Sequence, residues 1–207
     1  MTGCRKPCHP CDVVSTRRAP RVSAAEARER IRDAAARLLA DRSYRDLTVD
    51  QVMAEAGLAR TLFYRHFDGL PQLMLSLLDD LRAALDSGGR PGDPDFLRRV
   101  LEDAAEVARR HGPLLRAIDD AARHDAEVER AYRAFLDWSI DTTAALYRAG
   151  IDAGSVRHVA DPRAVSQALT LMNGAFLMDT LGRDPGADPA AVVDVLWTVW
   201  ARTLGID

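Results

Sequence analysis

Apolar positions recur three and four residues apart along most of the chain, and alternation with period two persists nowhere. Ser23-Ala24-Ala25-Glu26 reads as a capping box that opens a first helix to about Asp41, with Ile31, Ala35, Leu38 and Leu39 as its inner face. Thr48 and Gln51 form a second such box, and Val49, Val52, Met53 and Ala56 continue it as one stripe. Gly57 supplies the left-handed turn, and a third helix is expected from about Ala59 to Phe67. Pro71 suits the first turn of a fourth, carrying Leu73, Leu77, Leu78, Leu81 and Leu85 and ending at Ser87-Gly88-Gly89. Beyond it the pattern predicts helices from Pro94 to about Arg110, then past a break at His111-Gly112-Pro113 to about Ala122. Three more follow, at Ala126 to Ala149, Pro162 to near Gly182, and Pro189 to about Leu204. The expectation is an all-α chain of about nine helices. The loop from Gly88 to Pro94 separates an N-terminal unit, 23–85, from a C-terminal one, 90–207.

The stretch 48–67 has the form of a helix-turn-helix, which places a helix end in the DNA major groove. At about 100° per residue the second of its helices splits into two arcs. Ala59, Leu62, Phe63, His66 and Phe67 form a mostly apolar arc, and Arg60, Thr61, Tyr64 and Arg65 form a polar one. Arg donates two hydrogen bonds to guanine O6 and N7, and Thr reaches a base edge or methyl. Tyr64 suits a phosphate oxygen, and the helix starting at Thr48 offers one its unpaired N–H groups. Arg45, Thr48, Arg60, Thr61, Tyr64, Arg65 and His66 are therefore the candidate DNA contacts. The competing reading of any charged helix face is plain solvation. Here cap, turn, aromatic pair and polar arc agree in register.

Charge sharpens this picture. Residues 1–69 hold 13 Lys and Arg against 9 Asp and Glu, and residues 70–207 hold 15 against 22, so a basic N-terminal third meets an acidic remainder. Such asymmetry favours one end approaching phosphate. Lys6 is the sole lysine, which leaves phosphate contacts to Arg, hydroxyls and backbone. Residues 1–22 read as a disordered basic arm, with Arg5, Lys6, Arg17, Arg18 and Arg21 against Asp12. Cys4, Cys8, Cys11 and His9 have partial metal-ligand spacing but no second ligand pair, so a reduced tail is expected, with no metal and no cofactor. No apolar run approaches the ~20 residues of a membrane span, and the start has no signal-like core, so a cytoplasmic protein is expected. No phosphate-binding glycine loop, nucleophile elbow or paired-histidine spacing argues for an enzyme.

The C-terminal unit concentrates aromatic residues. Tyr132, Phe135, Trp138 and Thr142 lie on one stripe, Asn173 sits among apolar neighbours with Phe176 nearby, and Phe96 and Trp200 come from other helices. Aromatic bodies with a few polar groups line apolar ligand cavities, although the same stripe also simply fills cores. The last two long helices carry edges suited to self-association. Gln167, Leu171 and Gly174 make one edge, and Val192, Val195, Leu196 and Val199 the other.

At Gly57-Leu58-Ala59-Arg60-Thr61-Leu62-Phe63-Tyr64-Arg65-His66-Phe67 the chain resembles the TetR family of bacterial transcriptional regulators. Two hydroxyl positions of the family's usual string hold Ala59 and Leu62, and a usual lysine is Leu70, so Arg45, Arg65 or the arm takes over the phosphate contact. Within the family, AFLDWSIDTTAAL, ALTLMNGAF and the Trp-rich last helix are similar to the ethionamide-resistance repressor type. That resemblance implies a helix-turn-helix domain followed by a helical ligand-binding and dimerisation bundle. It also implies a homodimer with a four-helix interface on double-stranded operator DNA, and a small hydrophobic effector that releases the repressor. Trp138, Thr142, Asn173 and Trp200 match pocket positions, and Thr170 stands where the relative has a further amide. With the aromatic stripe read above, the candidate ligand set is Phe96, Phe135, Trp138, Thr142, Thr170, Asn173, Phe176 and Trp200, and the candidate dimer set from the two helix edges is Gln167, Leu171, Gly174, Val192, Leu196 and Val199. The alternatives are an activator of the same fold and a helical ligand-binding protein that does not touch DNA.

Overall fold

The computed structural model describes residues 22–85, 94–158, 161–184 and 186–206. The expected basic arm, with Cys4, Cys8 and Cys11, and most of the expected loop at 88–94 lie outside the described residues. Among the described residues eight α-helices follow one another: α1 Ala24–Asp41, α2 Val49–Ala56, α3 Arg60–Phe63, α4 Leu70–Ala84, α5 Pro94–Ala122, α6 Ala126–Asp152, α7 Pro162–Asp179 and α8 Pro189–Leu204. A short 3₁₀ turn, Tyr44–Asp46, joins α1 to α2, and no strand occurs among the described residues.

The helix starts follow from local chemistry. Ser23 accepts from Glu26 N–H, and Thr48 accepts from Gln51 N–H while Gln51 Oε1 takes the Thr48 N–H. Asp125, Asp161 and Asp188 cap α6, α7 and α8 in the same way. Each such oxygen satisfies an N–H that the helix leaves open.

Two expectations need correction. The break at His111-Gly112-Pro113 does not occur, because α5 runs through it with Pro113 inside the helix. Gly112 instead serves packing: a Cβ there would lie 2.5 Å from the Cα of Gly182, just past the end of α7. Arg116, one turn further along α5, donates to the Gly182 carbonyl. The helix after Gly57 is also shorter than expected. Only Arg60–Phe63 is regular, and the chain reaches Phe67 through tighter turns, with His66 N–H bonded to the Phe63 carbonyl at 2.9 Å.

Two apolar cores share α5. Its C-terminal half, with Leu114, Ala117, Ile118 and Ala121, packs with Ile31, Val52, Phe63 and Leu73 of the first four helices and with Phe67 between α3 and α4. Its N-terminal half, with Leu97, Leu101, Ala105 and Ala108, packs with Tyr147, Leu169, Val193, Leu196 and Trp200. One rigid rod therefore runs from the helix-turn-helix unit into the C-terminal bundle.

Candidate nucleic-acid interface and ligand cavity

Phe63 and Phe67 fix α3. Both are buried in the core they share with residues of α1, α2, α4 and α5, and each contributes roughly 1.5–3 kcal/mol by leaving water. Arg28 of α1 lies 4.7 Å above the Phe67 ring and donates to the His66 carbonyl, tying down the end of the turn. With that side anchored, Arg60, Thr61, Tyr64 and Arg65 face solvent together, as the arc analysis requires. Tyr64 is half exposed, its ring edge-on to Phe63 with centroids 5.4 Å apart. Gly57 has φ 66°, the left-handed value that sets the angle between α2 and α3. Thr48 lies exposed at the α2 N-terminus.

Other candidates sit differently. His66 is half-buried and engaged through its carbonyl, and Ala59 is exposed as the N-cap of α3, with no side-chain oxygen to offer. Arg45 does not join the arc: its Nη2 lies 2.7 Å from His124 Nδ1, at the turn between α5 and α6. One charged residue of this surface escaped the sequence analysis. Asp50, in the first turn of α2, accepts Arg60 Nη1 on both oxygens, at 2.6 and 2.5 Å. Arg60 Nη2 also lies 3.4 Å from the Tyr64 hydroxyl. Tyr64 and then Asp50 hold the Arg60 guanidinium still further above its ordinary pKa.

The C-terminal bundle holds a partly open cavity of about 520 Å³ between α5, α6, α7 and α8, with Leu85 at the end of α4 also on its wall. Phe96, Phe135, Trp138, Thr142, Thr170, Asn173 and Trp200 all line it. Phe176 does not: it packs against the core around Leu177 and Trp200. On α6 the rings of Tyr132 and Phe135 are nearly parallel at 6.5 Å, and Phe135 and Trp138 follow at 6.0 Å, making a continuous aromatic wall. The buried Asn173 accepts a hydrogen bond from Trp200 Nε1 at 3.0 Å through its carbonyl oxygen. Its NH₂ is thereby the part left for a bound acceptor.

The opposite wall was missed. Val100, Leu101, Ala104, Val107, Ala108 and Leu115 form one stripe of α5, and their three- and four-residue spacing was the available signal. Splitting α5 at Gly112 hid its continuity. Lining residues on α5 run from Phe96 to Asp119, a rise of roughly 35 Å at 1.5 Å per residue. Near Asp119 the lining turns polar, with Arg116 and Tyr132 beside it. Burial, then the Asp119 charge, raises the Tyr132 phenol above its ordinary pKa, so it stays a donor.

On α7, Gln167, Leu171 and Gly174 are exposed, Leu171 at 47%, and Gly174 also borders the cavity. On α8 the expectation is corrected in part. Val192 and Leu196 turn into their own core, while Val195 at 52% and Val199 at 38% face out. At about 100° per residue the two pairs form neighbouring stripes centred roughly 60° apart, so periodicity alone does not separate them and packing does.

Residues 31–77 match the pattern of bacterial regulatory proteins of the TetR family, and residues 97–204 match the C-terminal domain of the transcriptional regulator EthR. The chain belongs to the TetR family. Its C-terminal domain is of the EthR type. The chain is 29% identical over 196 residues to the HTH-type transcriptional regulator EthR of Mycolicibacterium smegmatis, covering 91% of this chain and 90% of that one. The Mycobacterium tuberculosis EthR is 28% identical over 176 residues, covering 81% and 82%. Among solved structures, a putative TetR-family transcriptional regulator from Rhodococcus sp. superposes with a TM-score of 0.74 at 20% identity, covering 87% and 99%. That similarity shows the fold. TetR regulators bind operator DNA and dimerise; they are transcriptional regulators and not enzymes. No helix among the described residues is long and apolar enough to cross a membrane.

Proposed function

We propose that this TetR-family regulator is a repressor whose α3 arc reads a double-stranded operator, and whose cavity takes a small lipophilic effector that releases it. The observation that carries the reading is the outward set Arg60, Thr61, Tyr64 and Arg65 on α3 and the turn that follows it, a segment anchored by the buried Phe63 and Phe67. Thr48, with the open N–H groups of α2, takes a phosphate, and the basic character of residues 1–69 adds long-range attraction. The cavity's shape and lining favour an elongated, mostly apolar compound with a hydrogen-bond acceptor placed at Asn173. The outward rows on α7 and α8 supply the homodimer interface, carried on α8 by Val195 and Val199. A two-fold pair would present two α3 helices to successive major grooves, about 34 Å apart.

Effector and operator communicate through α4. Arg82 lies 4.7 Å over the ring of Trp138, so a residue lining the cavity touches the helix that follows the reading unit. A coupling of about 1–3 kcal/mol gives a 5- to 150-fold change in operator affinity. The test is selection of genomic DNA fragments by the purified full chain, repeated with a panel of lipophilic compounds. A few fragments should enrich and a subset of compounds should release them. Enrichment no better than for scrambled duplex at moderate salt would overturn the proposal.

A further inference from the structure

We infer that Asp50 is a specificity residue of the DNA-reading face, positioning Arg60 so that it reads a base edge instead of binding any phosphate. The inference rests on the reading of α3 as the helix that meets DNA. Asp50 and Arg60 come from different helices, with 65% and 57% of their side chains exposed, and meet through both carboxylate oxygens on a single nitrogen, Nη1. Exposed pairs contribute little to stability, so folding alone gives no reason to set an anion on a surface that approaches phosphate. What the pair does is directional. It occupies Nη1, while Nη2 lies 3.4 Å from the Tyr64 hydroxyl and the guanidinium carbon 5.9 Å from the Tyr64 ring centre. The Nε–H and an Nη2–H remain as the fork that matches guanine O6 and N7.

Charge works in the same sense. A freely swinging guanidinium binds every phosphate alike, which raises affinity for all sequences. A guanidinium already paired with a carboxylate has less to gain from a phosphate, yet keeps its hydrogen-bonding edge. Asp50 therefore lowers binding to arbitrary DNA more than binding to the operator.

The experiment measures full-chain affinity for operator and scrambled duplex across a salt series, with thermal unfolding alongside. Asp50→Asn should strengthen scrambled binding, steepen its salt dependence, and shrink the operator-to-scrambled ratio about tenfold, within the range of one two-bond base contact. Asp50→Glu should restore most of the ratio. In an Arg60→Ala background, Asp50→Asn should leave the ratio unchanged, because its effect passes through Arg60. A ratio unmoved by Asp50→Asn, while Arg60→Ala lowers it, overturns this inference and leaves the reading of α3 standing. If Arg60→Ala also leaves operator binding intact, the reading itself falls. An equal effect of Asp50→Asn with and without Arg60, or a parallel loss of both affinities with a lowered melting temperature, makes Asp50 an ordinary surface charge.

Discussion

Ala59 shows how single positions tune this protein. It is the N-cap of α3 and carries no side-chain oxygen, so the open N–H groups of α3 have no side-chain cap. Ala59→Ser should stabilise the protein by about 0.5–2 kcal/mol, seen as a higher melting temperature. His111 offers a pH signature. Burial, then the neighbouring Arg110 charge, lowers its pKa from the usual 6.5. The unfolded chain therefore takes up a proton that the folded protein refuses. The stability tied to neutral His111 is complete above about pH 6.5 and falls as pH drops below that value. His111→Gln should lose less melting temperature than the parent between pH 7.5 and 5.5, and an equal loss would contradict this. The outward placement of Arg60, Thr61, Tyr64 and Arg65 was legible in the sequence because exposed polar positions follow directly from helical period. The partnership of Asp50 and Arg60 was not, because ten residues and a turn separate them.

At the scale of elements, capping residues and prolines announced nearly every helix start, since those groups act within one turn of themselves. What they could not announce was tertiary purpose. His111-Gly112-Pro113 has the local signature of a break, yet α5 continues because Gly112 accommodates the backbone at Gly182. Replacing Gly112 by Ala sets two effects against each other. Helix propensity favours Ala by about 1 kcal/mol, and overpacking against backbone costs typically 1–3 kcal/mol. With the contact at Cα 2.5 Å away, overpacking should win, and Gly112→Ala should lower the melting temperature. The same continuity decides the cavity. Aromatic α6 and α7 positions were readable as a stripe, but the aliphatic wall emerges only when α5 is a single rod. On α8, the aliphatic positions could not be sorted into core and outer face until packing showed that Val192 and Leu196 point in and Val195 and Val199 point out.

For the whole molecule, what matters is how a cavity in one half bears on a helix in the other. Two cores meet along α5, and Arg82 of α4 rests on Trp138 of the cavity wall. Arg82→Ala should leave operator affinity of the free protein nearly unchanged, but reduce by about 2- to 5-fold the factor by which a saturating effector weakens it, the worth of one exposed cation–π contact. Equal release in parent and variant would remove Arg82 from the coupling route. The central claim, that the outer arc of α3 reads DNA, is tested most directly by operator affinity of the full chain against its Arg60→Ala variant, each compared with scrambled duplex at several salt concentrations. The account predicts that the parent prefers operator, that both complexes weaken steeply with salt, and that Arg60→Ala loses about 1–3 kcal/mol on operator while its preference narrows. Identical affinities for operator and scrambled DNA, or an Arg60→Ala variant indistinguishable from the parent, would contradict it.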